Sequence, residues 1–328
     1  MSEVNIHSDI IRKQIRRIPM KKISKILAGA FLALGMSFSL ANASSEGQNL
    51  QIFSVDNSNA KINAKSIETA FNASGLTVDV NNDMNSIFSK RYGNVHHKQY
   101  NLAIFTHSKL VKKLMDKYPT IGLITPLSMS IYSGEDKSIN VATLSLAGMS
   151  RITNIPADDA DLIAYSKVVD GALHKALQNG KYLNVKHPQN TKDKLVTEFT
   201  LDLELDKGVS YAEFKEGFKK EFEAEISPVG FLVPKSYTLK HADYDFFDTY
   251  SIIRFNAIFP VSKNHPDAGA YAPFSLVMYK KKDEDAMHVA FPSIDNWIED
   301  LGITDEETIS AVRETQAMMQ EILEGLTE

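Results

Sequence analysis

From Leu50 onward the chain switches repeatedly between two spacings of apolar residues, one of period two and one of three to four, which predicts strands and helices in alternation. Gln51–Val55 reads as a short apolar strand. Ile62–Ser74 reads as a helix with Ile62, Ile67, Ala70 and Phe71 on one stripe and Gly75 as its stop. Leu76–Val80 returns as a strand, Asp83–Arg91 as a weak helix ending near Gly93, and Tyr100–Thr106 as a buried strand. Ser108–Lys117 is a helix closed by Pro119 and Gly122. A hairpin follows, Leu127–Tyr132 and Ile139–Leu144, around the turn residues Ser133-Gly134-Glu135-Asp136-Lys137. Ala157–Leu177 is a long amphipathic helix with Leu162, Tyr165, Val169, Ala172, Leu173 and Ala176 on one side, ended by Asn179-Gly180.

The polar stretch Lys186–Lys194 reads as a linker. Beyond it Leu195–Leu205 is a strand, Tyr211–Glu225 a helix, Tyr250–Phe259 a strand, and Asp305–Leu326 a helix standing where Ala157–Leu177 stood. Pro126-Leu127-Ser128-Met129-Ser130-Ile131-Tyr132 matches Pro273-Phe274-Ser275-Leu276-Val277-Met278-Tyr279 at a constant separation of 147 residues, and Val141-Ala142 matches Val289-Ala290 after one insertion. A period that long fits a duplicated domain rather than a solenoid. The expectation is an α+β fold of two related domains, 44–180 and 181–328, each a small antiparallel sheet with helices on one face, paired as a pseudo-dimer.

Strand side chains alternate between faces. Leu127, Met129 and Ile131, like Phe274, Leu276 and Met278, supply apolar faces. The opposite faces carry Ser128, Ser130 and Tyr132 in one copy and Ser275, Val277 and Tyr279 in the other, joined by Asn140 and Ala142, or His288 and Ala290, if the pairing is regular. Exposure to solvent explains such a face. So does a contact surface, between the copies or around a ligand, because small side chains permit close approach and Tyr is an amphipathic anchor.

The first 43 residues read differently. The 15-residue apolar run Ile26–Leu40 follows Lys21, Lys22 and Lys25 and precedes Ala41-Asn42-Ala43. A membrane span needs about 20 apolar residues, so the pattern is that of a secretory signal peptide cut between Ala43 and Ser44, with Met20 as its start. The expected product is periplasmic or secreted, with no stable membrane anchor after cleavage. Among 328 residues there are 36 basic and 41 acidic side chains, a formal −5. Residues 1–43 hold seven of the basic and two of the acidic ones, which leaves 29 against 39, a formal −10. That balance argues against nucleic acid as a partner. With no cysteine, disulfides, thiolate nucleophiles, cysteine-ligated zinc and iron–sulfur clusters are excluded.

Tyr100-Asn101-Leu102-Ala103-Ile104-Phe105-Thr106-His107-Ser108, then Pro119-Thr120-Ile121-Gly122-Leu123-Ile124-Thr125-Pro126-Leu127 and the hairpin after it, resemble the bacterial domain of unknown function 302 family. Phe105, Pro119, Gly122, Pro126 and Leu127 keep the family's pattern, whereas Thr106-His107-Ser108 lacks the Gly and Pro of its turn. The resemblance covers about Leu50–Leu144, and in the second copy only the strands and last hairpin, the helix between Pro260 and Pro273 being replaced by a short loop. It implies a compact α+β domain with an antiparallel sheet, a tendency to pair, and no established activity.

No catalytic motif emerges. The adjacent His96 and His97 lack metal-ligand spacing, and no metal or cofactor is expected. His107 sits at a strand-to-helix junction, and His288 falls on the small-residue face near Tyr279. Asp158, Asp159 and Asp161, and Asp305, Glu306 and Glu307, surround helix starts, where acidic groups cap free N–H groups. His241–Asp248 reads as an aromatic-rich connecting segment, and Trp297 as the anchor of a strand-to-helix connection. There is no G-x-S-x-G elbow and no phosphate-cradling Gly-rich loop. The preferred reading is a non-catalytic periplasmic binding or interaction module, its partner a small-molecule ligand or a periplasmic protein. Its candidate ligand-binding residues are Ser128, Tyr132, Ser275, Tyr279, His288 and His107. A hydrolase or isomerase using a His288/Tyr279 acid–base pair and a structural envelope protein are the alternatives.

Overall fold

The computed structural model describes residues 48–185, 187, 195–205 and 208–327. The predicted leader with its cleavage point, and the linker apart from His187, lie outside the described residues. In the first half, six strands form an antiparallel sheet in the order β2-β3-β4-β5-β1-β6. They are β1 (Leu50–Asp56), β2 (Thr77–Asp83), β3 (Tyr100–Thr106), β4 (Leu127–Ser133), β5 (Ser138–Leu144) and β6 (Lys181–Leu183). Helices α1 (Ala64–Asn72), α3 (Ser108–Met115) and α5 (Ala160–Ala176) cover one face, and α2 (Met84–Tyr92) follows β2. Local chemistry fixes these ends. Asn63 and Ser66 form a capping box on α1, Asp83 caps α2, whose C-terminus stops at Gly93 with φ +69°, and Asp159 accepts from the first N–H groups of α5. Ile67 and Phe71 of α1 and Leu162, Tyr165, Val169 and Leu173 of α5 face the sheet, where Phe71 meets Phe105 edge-on at 5.2 Å. Helix α4 (Leu146–Thr153), capped by Ser145, was not predicted.

The second half is a five-stranded antiparallel sheet, β7-β11-β10-β9-β8. Its strands are β7 (Val196–Asp202), β8 (Phe231–Thr238), β9 (Tyr244–Arg254), β10 (Phe274–Lys281) and β11 (Ala286–Pro292). Helices α6 (Tyr211–Ile226) and α9 (Glu306–Thr327) cover one face and close a separate core, with Phe214, Phe218, Phe222, Met319 and Leu323 against Tyr250, Ile252, Leu276 and Met278. The short α8 (Asp295–Asp300) lies between β11 and α9. The fold is therefore α+β, with two antiparallel sheets.

Three expectations fail in this half. Tyr250–Phe259 is not one strand: β9 ends at Arg254, and Phe255–Asn264 is a helix, α7, with Pro260 inside it. An internal Pro costs a helix about 3 kcal/mol. Here tertiary packing outweighs it, because Phe259 stacks on Tyr92 at 4.0 Å and on His96 at 4.4 Å. The segment before Pro273 is thus a helix and a 3-10 turn (Pro266–Ala270) rather than a short loop. Nor is His241–Asp248 all connection, since Tyr244 begins β9. Strand β8 was missed because Pro234 breaks its pattern; Pro is tolerated there because β8 is an edge strand with a register shift between Leu232 and Lys235.

The two halves meet through their 3-10 turns. Pro119–Ile124 packs on β10 of the second sheet, and Pro266–Ala270 packs on β4 and β5 of the first. The peptide bonds Thr125-Pro126 and Ala272-Pro273, at the ends of these segments, are both cis. Glycine is required at the closest approaches. A Cβ on Gly122 would stand 2.4 Å from Val277 Cγ2, and one on Gly269 would stand 2.4 Å from Ser130 Cβ. Farther out, Arg151 pairs with Glu299 at 2.8 Å, Tyr92 Oη donates to Asn256 at 2.7 Å, and His97 Nε2 lies 2.7 Å from the Ser262 carbonyl.

Candidate functional site

The register settles which residues share the small-residue faces. Tyr132 pairs with Asn140 and Ser130 with Ala142, while Tyr279 pairs with His288 and Val277 with Ala290, so these sets do share a face. Solvent reaches only the end of the second face, where Tyr279 and His288 are half-buried. Ser128, Ser130, Tyr132, Asn140 and Ala142 are all buried, as are Ser275, Val277 and Ala290, because the turn of one half lies on the sheet of the other. Ser275 Oγ donates to the Pro126 carbonyl at 2.8 Å, and Ser128 Oγ makes the reciprocal bond to the Pro273 carbonyl. Both hydroxyls are therefore engaged in holding the halves together.

Asp267 marks the more polar side of this interface. It is only 9% exposed, on the turn that lies over β4 and β5, and burial pushes its carboxyl up to about 6. Tyr100 and Tyr132, cross-strand partners, are pushed up in turn, first by burial and then by the Asp267 charge. Tyr100 Oη and Ser130 Oγ are buried without a hydrogen-bond partner among the described residues. On the opposite side, Thr120 occupies the turn position of Asp267, 147 residues earlier, and Phe247, Tyr279 and His288 occupy the sheet. There the rings are stacked, Phe247 on Tyr279 at 5.6 Å and Tyr279 on His288 at 4.8 Å. His288 directs Nε2 to Glu284 at 2.9 Å, and its Nδ1 lies 3.4 Å from Thr200 Oγ1. Its hydrogen bonds thus go to those two groups, and its contact with Tyr279 is face to face.

A cavity does form between the halves, at the other end of this contact. It encloses about 320 Å³, within the range of small-molecule sites. The first half contributes Thr77 and Asp79 of β2, Thr106 at the end of β3, Thr125, and Ser108, Val111, Lys112 and Met115 of α3. The second contributes Tyr237 of β8, with Leu239 and Lys240. Its floor is Thr106, Thr125, Val111 and Met115, all buried, and its rim is exposed Thr77, Ser108, Lys112 and Lys240. Tyr237 Oη donates to Asp79 Oδ2 at 2.7 Å across the cleft, tying the two sheet edges. Burial and then this carboxylate push the phenol up. His107 does not line the cleft; its Nδ1 accepts from the Leu110 N–H at 3.3 Å and caps α3, while its neighbours Thr106 and Ser108 face the cavity.

Of the sequence-predicted ligand residues, Ser128, Tyr132, Ser275, Tyr279 and His288 thus lie at or beside the contact between halves, and none lines the cleft. Lys112, Tyr237 and Lys240 were missed, since no local spacing links residues more than 120 positions apart. The interface turns do carry a sequence signal: Pro119-x-x-Gly122-x-x-x-Pro126 recurs as Pro266-x-x-Gly269-x-x-x-Pro273. A second cavity near Trp297, lined by Ile253, Ile258, Phe274, Trp297 and Met319, encloses only about 30 Å³, room for about one water. Among the described residues no group of three His, Asp or Glu side chains is placed to hold a metal ion.

Fold and site together define an α+β protein of two interlocked halves with a polar cleft between them. Residues 55–179 match the family model for Domain of unknown function DUF302. The crystal structure of an uncharacterized conserved protein DUF302 from Bacillus stearothermophilus is similar to 38% of this chain and 97% of its own length, at 12% identity and a TM-score of 0.32. No curated protein matches the chain.

Proposed function

We propose that the protein is a non-catalytic binding module that takes a small molecule in the cleft between its halves. The observation carrying this reading is the cavity of about 320 Å³ walled by both halves, with hydroxyls at its rim and a floor of Thr106, Thr125, Val111 and Met115. Catalysis has less support, because the buried carboxyl of Asp267 and the His288 ring both lie outside the cleft lining. The same reading takes 44–180 and 181–328 as copies of one ancestral domain, in line with the reciprocal serine bonds and turn packing. It places the protein in the periplasm or outside the cell, delivered by a cleavable signal over residues 1–43. No helix of the described residues is long and apolar enough to cross a membrane.

A thermal-shift screen against small metabolites, run beside a Thr77→Trp variant, tests the site. Thr77 is exposed at the rim, so the indole fills the mouth without disturbing the core. A ligand that raises the midpoint of the native protein and not of Thr77→Trp supports the cleft, and a ligand that raises both equally refutes it.

A further inference from the structure

Resting on that reading, we infer that the cleft selects a compact dianion, held between Lys112 of the first half and Lys240 of the second. Four observations converge. First, among the described residues two of the lysines on or just after α3 are ion-paired, while Lys109 and Lys112 are not. Lys113 pairs with Asp161 at 3.3 Å, and Lys117 pairs with Asp159 at 2.6 Å and Asp161 at 3.1 Å. Lys112 and Lys240 have no carboxylate within salt-bridge distance among the described residues, and both line the cleft. Second, the cleft lining holds two lysines against one carboxylate, Asp79, which accepts a hydrogen bond from Tyr237, so positive charge exceeds negative there.

Third, the remaining polar lining is hydroxyl: Thr77, Thr106, Ser108 and Thr125. Thr125 Oγ1 donates its proton to the Ile121 carbonyl at 2.8 Å. The rim hydroxyls of Thr77 and Ser108 can turn as donors toward an anion. Fourth, α3 begins at Ser108 in the cleft wall, so the positive end of its dipole adds to the lysines. The adjoining open recess shares Lys112 and Lys240 but adds two carboxylates, Asp116 and Asp243, whereas the inner side has only Asp79 beside its hydroxyls, so the anion is favoured on the inner side. Because the lysines come from opposite halves, a dianion with charge at both ends would bridge them. A dicarboxylate or a phosphate supplies that chemistry.

Titration calorimetry and amide NMR of the whole chain decide it, with succinate, inorganic phosphate and neutral succinamide as probes. Lys112→Gln, Lys240→Gln and Thr77→Trp are the variants, all at exposed positions, with thermal melts checking that each is folded. The expected result is that succinate or phosphate binds, shifts the amides of Thr106, Ser108 and Thr125, and weakens about tenfold with each lysine change, as loss of a charged hydrogen bond requires. Affinity falls with added salt, and whichever dianion binds more tightly names the source. If succinamide binds as tightly as succinate, and is blocked by Thr77→Trp but untouched by the lysine changes, anion selectivity is overturned while the cleft stands. If the dianions leave the cleft amides unshifted at about 10 mM, a concentration that detects even millimolar binding, the inference is likewise overturned. The thermal-shift screen with Thr77→Trp then decides the cleft separately.

Discussion

Asp267→Asn isolates the electrostatic character of the contact between the halves. The Asp267 carboxyl is buried in a turn that lies over the other half's sheet, and the groups it acts on electrostatically are phenols, those of Tyr100, Tyr132 and Tyr271. Burial raises it from the ordinary 3.8 to about 6, with its own backbone N–H offsetting this only in part. A folded-state pKa above the unfolded one means that the folded protein binds the proton more tightly. The associated stability is fully present below about pH 4, is lost as pH rises to about 6, and stays lost above that. A difference from 3.8 to about 6 corresponds to about 3 kcal/mol. Asparagine has the same shape and never ionises. Urea unfolding of native protein and Asp267→Asn at intervals from pH 4 to pH 8 should therefore give equal stabilities at pH 4 and a variant more stable by about 2–3 kcal/mol at pH 8. Two curves that run parallel across the whole interval would refute the argument, since they would mean that Asp267 ionises in the folded state as easily as in the unfolded.

Other consequences are more local. Gly269→Ala and Gly122→Ala should each lower stability by about 1–3 kcal/mol in thermal melts, since the added methyl would overlap Ser130 or Val277. Ser275→Ala should cost about 1 kcal/mol by releasing the Pro126 carbonyl, and combined with Ser128→Ala the loss should depart from additivity, because the reciprocal bonds join the same two segments. Lys280, 1% exposed, holds Asp245 at 2.7 Å and lies 3.9 Å above the Tyr211 ring, so Lys280→Ala should destabilise the second half by about 3 kcal/mol in urea. Mass spectrometry of protein recovered from an expressing cell should find a mature N-terminus at Ser44, and an N-terminus upstream of Ala43 would count against export through a cleaved signal.

Much of the architecture was written locally. The strand Tyr100–Thr106 is fully apolar or small along one face, the hairpin carries its turn residues between two alternating runs, and Asn63, Asp159 and Ser210 stand where caps belong. Each of these features depends on residues within a few positions of one another. Even the shared face of Tyr132 with Asn140 and of Tyr279 with His288 followed from period two, given regular hairpin pairing. What covers that paired face did not follow, because alternation separates two faces without saying what lies on either. Helix α7 was hidden by Pro260, whose local cost is overcome by Tyr92 and His96 from the other half. The cleft is the extreme case. Lys112 and Lys240 are each an ordinary exposed lysine in the sequence, and only the docking of β8 beside β2, fixed by Tyr237 on Asp79, gives them a common cavity. Short-range spacing determined the elements and their faces; the site depended on long-range contact, which brings together side chains that no local pattern connects.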